Sequence, residues 1–148
     1  YSTENILIHE LAHAIHQMGL SETDPTFDER LEATYEAAVK QRLWKGKYAG
    51  RNHYEYWAEG VQSWFGTNRE NDFDHNHVNT RKELIEYDPA IAELCADVFG
   101  DNDWVYQKPT HPDRKNDFHL KNLDRSKLKP FEWSEDETKA YNALPRNK

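Results

Sequence analysis

The sequence predicts a mainly α-helical fold with little or no sheet, and three observations support that class. Apolar residues recur at three- and four-residue spacing through most of the first 106 positions, which is the helical period. Capping pairs such as Asp88-Pro89 stand immediately before several of these patterns. Almost no segment alternates apolar and polar residues over five or more positions, as a half-buried strand would.

The first predicted helix covers residues 3–18. Its apolar residues form a wide face, which is typical of a mostly buried helix. We expect the helix to end at Gly19, because glycine readily adopts the left-handed conformation that often follows a helix.

Five more helices are predicted where apolar periodicity or a run of helix formers follows a capping residue. They run from Asp24-Pro25 to about Trp44, from near Asn52 to before Gly66, from Thr80 to Tyr87, from Asp88-Pro89 to Gly100, and from Ser134 toward Tyr141. Residues 45–50 and 67–79 are predicted loops, because the first segment contains two glycines and the second has no apolar period. Residues 104–106 are a candidate extended segment.

The composition changes at residue 107. Seventeen of the 42 residues from there to the end are charged, and the apolar residues among them are isolated. The sequence therefore predicts one domain in residues 1–106. We expect residues 107–148 to be a polar extension that is draped over the domain or partly disordered.

Charge and composition exclude several classes of protein. The net charge of -8 disfavours a nucleic-acid binder, which needs a basic face for phosphates. No apolar run approaches the roughly 18 residues that a membrane span requires. Cys95 is the single cysteine, which excludes an intrachain disulfide and a cysteine-based zinc finger. It lies on the apolar stripe of its helix, so we expect it in the core.

Residues 9–13 form an HExxH motif within the first predicted helix. Because His9 and His13 are one turn apart, their imidazoles project from the same face and can bind Zn²⁺ together. Glu10 lies beside them and can reach a metal-bound water without being a ligand, as a general base does. Two histidines and a glutamate in an otherwise apolar helix need a compensating partner, and a metal supplies it.

A catalytic zinc needs a third protein ligand and an open position. Glu55 and Glu59 lie one turn apart on the third predicted helix. One carboxylate can bind the metal and the other can accept the ring N–H of a ligand histidine, but spacing alone leaves their roles open. We expect His16 to be a neighbour or a capped surface residue, and His75 and His77 to lie in a solvated loop.

These motifs together resemble the gluzincin zinc metallopeptidases. The HELAH segment at residues 9–13 is followed by Tyr48 and then, after six residues, by the EYWAE segment at residues 55–59. The pattern is most similar to the group that contains the anthrax lethal factor catalytic domain and the Pro-Pro endopeptidases. The resemblance covers about residues 3–66.

The resemblance implies a role for each of three residues. Glu55 would be the third zinc ligand, Glu59 would accept the ring N–H of a ligand histidine, and Tyr48 would donate to the substrate oxyanion. It also implies a zincin-like fold, of which this chain carries the helical part, with one catalytic Zn²⁺ and a peptide or protein substrate. A secreted or extracellular location is suggested by the resemblance only, and the compartment is otherwise unknown.

The favoured function is hydrolysis of peptide bonds by a zinc-bound water that Glu10 activates. One alternative is a non-catalytic, zinc-stabilised helical interaction module, and another is zinc-dependent hydrolysis of a different bond. Gluzincins usually place a small sheet before the HExxH helix, where its edge strand holds the extended substrate. Only eight residues precede His9 here, so either the sheet is absent or an upstream domain or another chain supplies it. In both cases this chain alone is not expected to have full peptidase activity.

Overall fold

The computed structural model describes residues 4–107, 111–114, 117–118, 122, 124–127 and 133–143. This part of the chain is mainly helical and contains no strand, which confirms the predicted fold class. None of its helices is both long and apolar enough to cross a membrane. The chain divides into two compact units: one is Thr3–Tyr106, and the other combines Tyr1–Ser2 with Gln107–Lys148.

The larger unit contains six α-helices and two other helical turns. The α-helices are α1 (Ile6–Ile15), α2 (Ser21–Thr23), α3 (Phe27–Lys40), α4 (His53–Trp64), α5 (Arg81–Tyr87) and α6 (Pro89–Phe99). A π-helical turn, His16–Leu20, joins α1 to α2, and a 3-10 turn, Tyr48–Gly50, precedes α4. The described part of the smaller unit contains α7 (Glu135–Ala143), where a helix was predicted.

The expected helix end at Gly19 is wrong. The π-helical turn carries the chain through Gly19 into α2, so it stays helical as far as Thr23. The positive-φ glycines of the described chain are Gly46, Gly66 and Gly100, and Gly19 is not among them. A buried His16 side chain and a hydrogen bond from Ser21 Oγ to the His16 carbonyl favour the continued turn.

The limits of α3 also differ from the prediction. Thr26, not Asp24, is the residue before the helix. The backbone N–H of Thr26 donates to Asp24 Oδ1 at 3.0 Å. The helix ends at Lys40, before the predicted Trp44, because Arg42 and Trp44 adopt positive φ angles of 62° and 58°. A long-range hydrogen bond from the Trp44 indole to Asp88, at 2.8 Å, accompanies this turn.

The predicted caps of the later helices are confirmed. The Asn52 side chain accepts from the N–H of Glu55 at 2.9 Å and so begins α4. Thr80 and Glu83 form the expected capping box of α5. The remaining caps are Asp88 before α6, Gly100 after it with φ of 74°, and Ser134 before α7.

Helix α4 is the centre of the core. Nearly all of it is buried, and the Trp57 indole donates to the Ala12 carbonyl of α1 at 2.9 Å. Gly60 allows close contact with α6, because a Cβ there would lie only 2.6 Å from Ile91. Cys95 is fully buried, as expected. The buried apolar residues of this core are Ala12, Phe27, Leu31, Ala38, Trp44, Ala49, Tyr56, Trp57, Ala58, Val61, Trp64, Val78, Leu84, Ile91, Ala92, Leu94 and Cys95.

The predicted loop of residues 67–79 contains no helix or strand, but it is anchored to the core. Asn68, Asp74 and Val78 are buried within it. The carbonyl of Asp74 accepts from the backbone N–H of Tyr48 at 2.8 Å. This loop and the turn that carries Tyr48 are therefore held together beside α4.

Candidate metal centre

Helices α1 and α4 bring two histidines and one glutamate to a single point. The Nε2 atom of His9 lies 3.1 Å from Glu55 Oε2 and 3.2 Å from His13 Nε2. The third side of this triangle, from His13 Nε2 to Glu55 Oε2, is 3.6 Å. These three residues form a group that could hold a metal ion.

The dimensions of the triangle fit a tetrahedral zinc ion. Four ligands at about 2.05 Å from a tetrahedral centre lie about 3.3 Å from one another. The three measured separations of 3.1, 3.2 and 3.6 Å surround that value. Within the described part of the chain the group has three members, one fewer than the four protein ligands of a structural zinc site.

Local structure explains why these side chains converge. His9 and His13 lie one turn apart on α1, and the bond from Trp57 to the Ala12 carbonyl fixes that stretch of α1 against α4. Glu55 lies in the first turn of α4, where the Asn52 cap accepts from its backbone N–H. Contacts between protein groups therefore position both of the helices that carry the candidate ligands.

The ring of His9 is held from behind by α4. Its Nδ1 atom lies 2.8 Å from Gln62 Oε1 and 3.4 Å from Glu59 Oε1. Gln62 is therefore the nearer acceptor of the Nδ1–H group, and Glu59 adds a negative charge slightly farther away. Gln62 is not among the site residues that the sequence predicts. Its spacing offered a signal, because Glu55, Glu59 and Gln62 follow the i, i+4, i+7 pattern of one helix face.

The charges of the cluster follow from these contacts. Burial lowers the pKa of His9, but its carboxylate neighbours and Gln62 outweigh that effect and raise it to about 10. Burial and the nearby His9 lower the pKa of His13, which favours the neutral imidazole. Burial raises the pKa of Glu59, but hydrogen bonds led by that from His75 bring it down to about 2.

Two histidines lie in surroundings that differ from those expected. His16 is buried instead of capped at the surface, and its Nε2 lies 2.5 Å from Asp28 Oδ1. His75 is only 5% exposed, although a solvated loop was predicted, because the loop folds back against Glu59. His77 is exposed, as expected for that loop.

The two residues with predicted catalytic roles lie beside the cluster. Glu10 is exposed on α1, next to His9 in the chain. The ring centroid of Tyr48 lies 6.0 Å from that of His9. Burial raises the pKa of Tyr48, and the negative charge of Glu55 raises it further, so the hydroxyl keeps its proton.

Comparisons of the chain with models of protein families, with curated proteins and with solved structures find no match. The residues of the site and their geometry are therefore the basis for assigning a function.

Proposed function

We propose that this chain is the helical part of a zinc-dependent metallopeptidase. The observation that carries the proposal is the convergence of His9, His13 and Glu55, whose ligand atoms lie 3.1–3.6 Å apart. Imidazole nitrogens and a carboxylate oxygen form a donor set that zinc prefers, and an open fourth position is typical of catalytic sites. The resemblance of the HELAH and EYWAE segments to gluzincins supports the same function.

In this proposal each residue near the metal has its own chemical task. A zinc ion held by His9, His13 and Glu55 would supply a Lewis acid that lowers the pKa of water, so that the water can lose a proton near neutral pH and act as a nucleophile. Glu10 takes the proton of the attacking water and passes it to the leaving amine. The Tyr48 hydroxyl donates a hydrogen bond to the carbonyl oxygen of the scissile bond as negative charge develops there.

The second candidate function is a zinc-stabilised helical module without catalysis. The absence of a strand from the described residues favours it, because an extended substrate needs an edge strand. Two features favour the peptidase instead. Structural zinc sites are closed by four protein ligands, and they need neither a free carboxylate such as Glu10 nor a phenol such as Tyr48.

We also propose that an upstream domain or another chain supplies a sheet that packs on α1. Leu7 and Leu11 lie one turn apart on this helix and are 73% and 52% exposed. Farther along, Met18 is 80% exposed. Large apolar side chains exposed in succession on a helix are typical of surfaces that another element covers. Leu7 and Leu11 lie on the same helix as His9 and His13, two of the proposed ligands, but project from its opposite side. A sheet packed on them would therefore support α1 from the side away from the metal.

Metal analysis tests the proposed zinc site. We expect one zinc per chain, and we expect chelation to lower the melting temperature, because an ion that binds only the folded state stabilises it. A His77→Ala variant is the matched control, since this exposed histidine should not affect zinc content. A folded wild-type chain that takes up no zinc in dialysis would contradict the proposal.

Replacing Tyr48 with Phe tests whether the site is catalytic. With the natural upstream region present, cleavage of an unstructured peptide library should lose about 10²–10³ in kcat, the value of one oxyanion donor. KM should change little, because this hydrogen bond strengthens in the transition state. Zinc content should stay at the wild-type level. An unchanged kcat would show that Tyr48 contributes to packing and not to stabilisation of the oxyanion.

A further inference from the structure

Glu59 is a buried carboxylate whose position depends on several neighbours. Its side chain is only 3% exposed, and Asn68 Nδ2 donates to its Oε2 atom at 2.9 Å. His75 Nε2 lies 3.3 Å from the same oxygen, and His9 Nδ1 lies 3.4 Å from Oε1. A carboxylate out of water needs such partners, because an unpaired buried charge is strongly unfavourable.

His75 lies between two carboxylates. Its Nδ1 is 2.8 Å from Asp72 Oδ1, and its Nε2 faces Glu59 on the other side of the ring. Each ring nitrogen therefore faces an acceptor, and both can donate only when both carry protons. Burial lowers the pKa of His75, but Glu59 and Asp72 together raise it above its ordinary value. Both carboxylates therefore favour a ring that carries a proton on each nitrogen.

The same loop segment also holds the turn that carries Tyr48. Asp72 Oδ1 accepts from the backbone N–H groups of Asp74 and His75, at 2.9 and 2.8 Å, which fixes the conformation of this segment. The Asp74 carbonyl then accepts from Tyr48 N, and the Lys47 ammonium donates to the Asp72 carbonyl at 2.9 Å. One short segment therefore supports both the region behind His9 and the loop with the proposed oxyanion donor.

We propose that His75 is a positioning residue of the metal centre, which acts by holding Glu59 against the Nδ1 side of His9. This inference rests on the zinc site proposed above. The hydrogen bonds and ion pairs of the His75 ring join it to Asp72 and Glu59 and to none of the three proposed ligands, so we expect its effect on the metal to pass through Glu59. A negative charge behind a ligand histidine orients its ring and increases its basicity, and the loss of such support typically weakens metal affinity.

Zinc affinity, measured by competition with a chelator of known affinity, tests this role. His75→Phe keeps a ring of similar size but removes both N–H groups, and we expect zinc binding to weaken about tenfold. His75→Gln retains one N–H donor and should lose less. His77→Phe, in the same loop but exposed, is the control and should bind zinc as the wild type does. The visible spectrum of the Co²⁺-loaded protein should change for His75→Phe and not for His77→Phe.

A double-mutant cycle separates positioning through Glu59 from a general effect on the fold. In a Glu59→Gln background, His75→Phe should change zinc affinity by less than about twofold, because the carboxylate through which His75 acts on His9 is already absent. Wild-type affinity in His75→Phe, or a full additional loss in the double variant, would overturn the inference and leave the zinc site standing. A wild-type chain that binds no zinc would overturn both. If His75→Phe does not fold, His75→Gln takes its place in the cycle.

Discussion

Replacing Glu10 with Gln is expected to abolish peptide cleavage almost completely while zinc remains bound. Gln keeps the size and shape of the side chain but cannot take a proton from the attacking water. General-base catalysis typically contributes about 10²–10⁴-fold, and the same residue is proposed to return the proton to the leaving amine. We therefore expect kcat to fall by at least about 10²-fold, in assays that include the natural upstream region.

Two controls separate an effect on catalysis from an effect on the fold. Because Glu10 is exposed, Glu10→Gln should change the melting temperature very little. Glu93→Gln, at an exposed position of α6, should retain both zinc and activity. A Glu10→Gln variant that cleaves peptides at the wild-type rate would exclude Glu10 as the base. A wild-type chain that binds zinc but cleaves no peptide in these assays would instead favour the interaction module over the peptidase.

Replacing Glu55 with Ala is expected to abolish tight zinc binding. The variant removes one of three ligand atoms, and with it the negative charge that lies 3.1 Å from His9 Nε2 and 3.6 Å from His13 Nε2. Alanine is a strong helix former, so α4 itself should persist. Circular dichroism would verify the fold, and chelator competition would measure the loss of zinc affinity.

The comparison with Glu59 makes the ligand assignment testable. Glu59→Ala should weaken zinc binding by about 10–100-fold, which is typical of residues that support a ligand from behind. The effect should be smaller than that of Glu55→Ala, because Gln62 still accepts from His9 Nδ1 at 2.8 Å. If Glu59→Ala had the larger effect on zinc affinity, the roles of the two glutamates would be reversed.

Local sequence signals predicted much of the fold. The caps at Asn52, Thr80 and Asp88 were predictable because a capping side chain bonds to a backbone N–H two or three residues away. The shared face of His9 and His13 follows from helix geometry alone. Such features need only neighbouring residues, so a single sequence contains the information.

Features that depend on distant contacts were not predictable in this way. The early end of α3 accompanies a bond between the Trp44 indole and Asp88, 44 positions away in the chain. The burial of His75 depends on a loop that folds back onto Glu59, and no periodicity describes that loop. Gln62 is the nearest acceptor for His9 Nδ1 only because of the way α1 and α4 cross, which the sequence alone does not show. Tertiary packing decided each of these three cases.

The hydrogen bond from the Trp57 indole to the Ala12 carbonyl has a kinetic consequence for the proposed centre. It joins α1 and α4 through core contacts, so we expect the proposed ligand atoms to stay close together without an ion. Loading then requires no folding step, in contrast to small zinc modules that fold only around their metal. We therefore expect that the proposed zinc can be removed and replaced by a spectroscopic substitute without unfolding the chain.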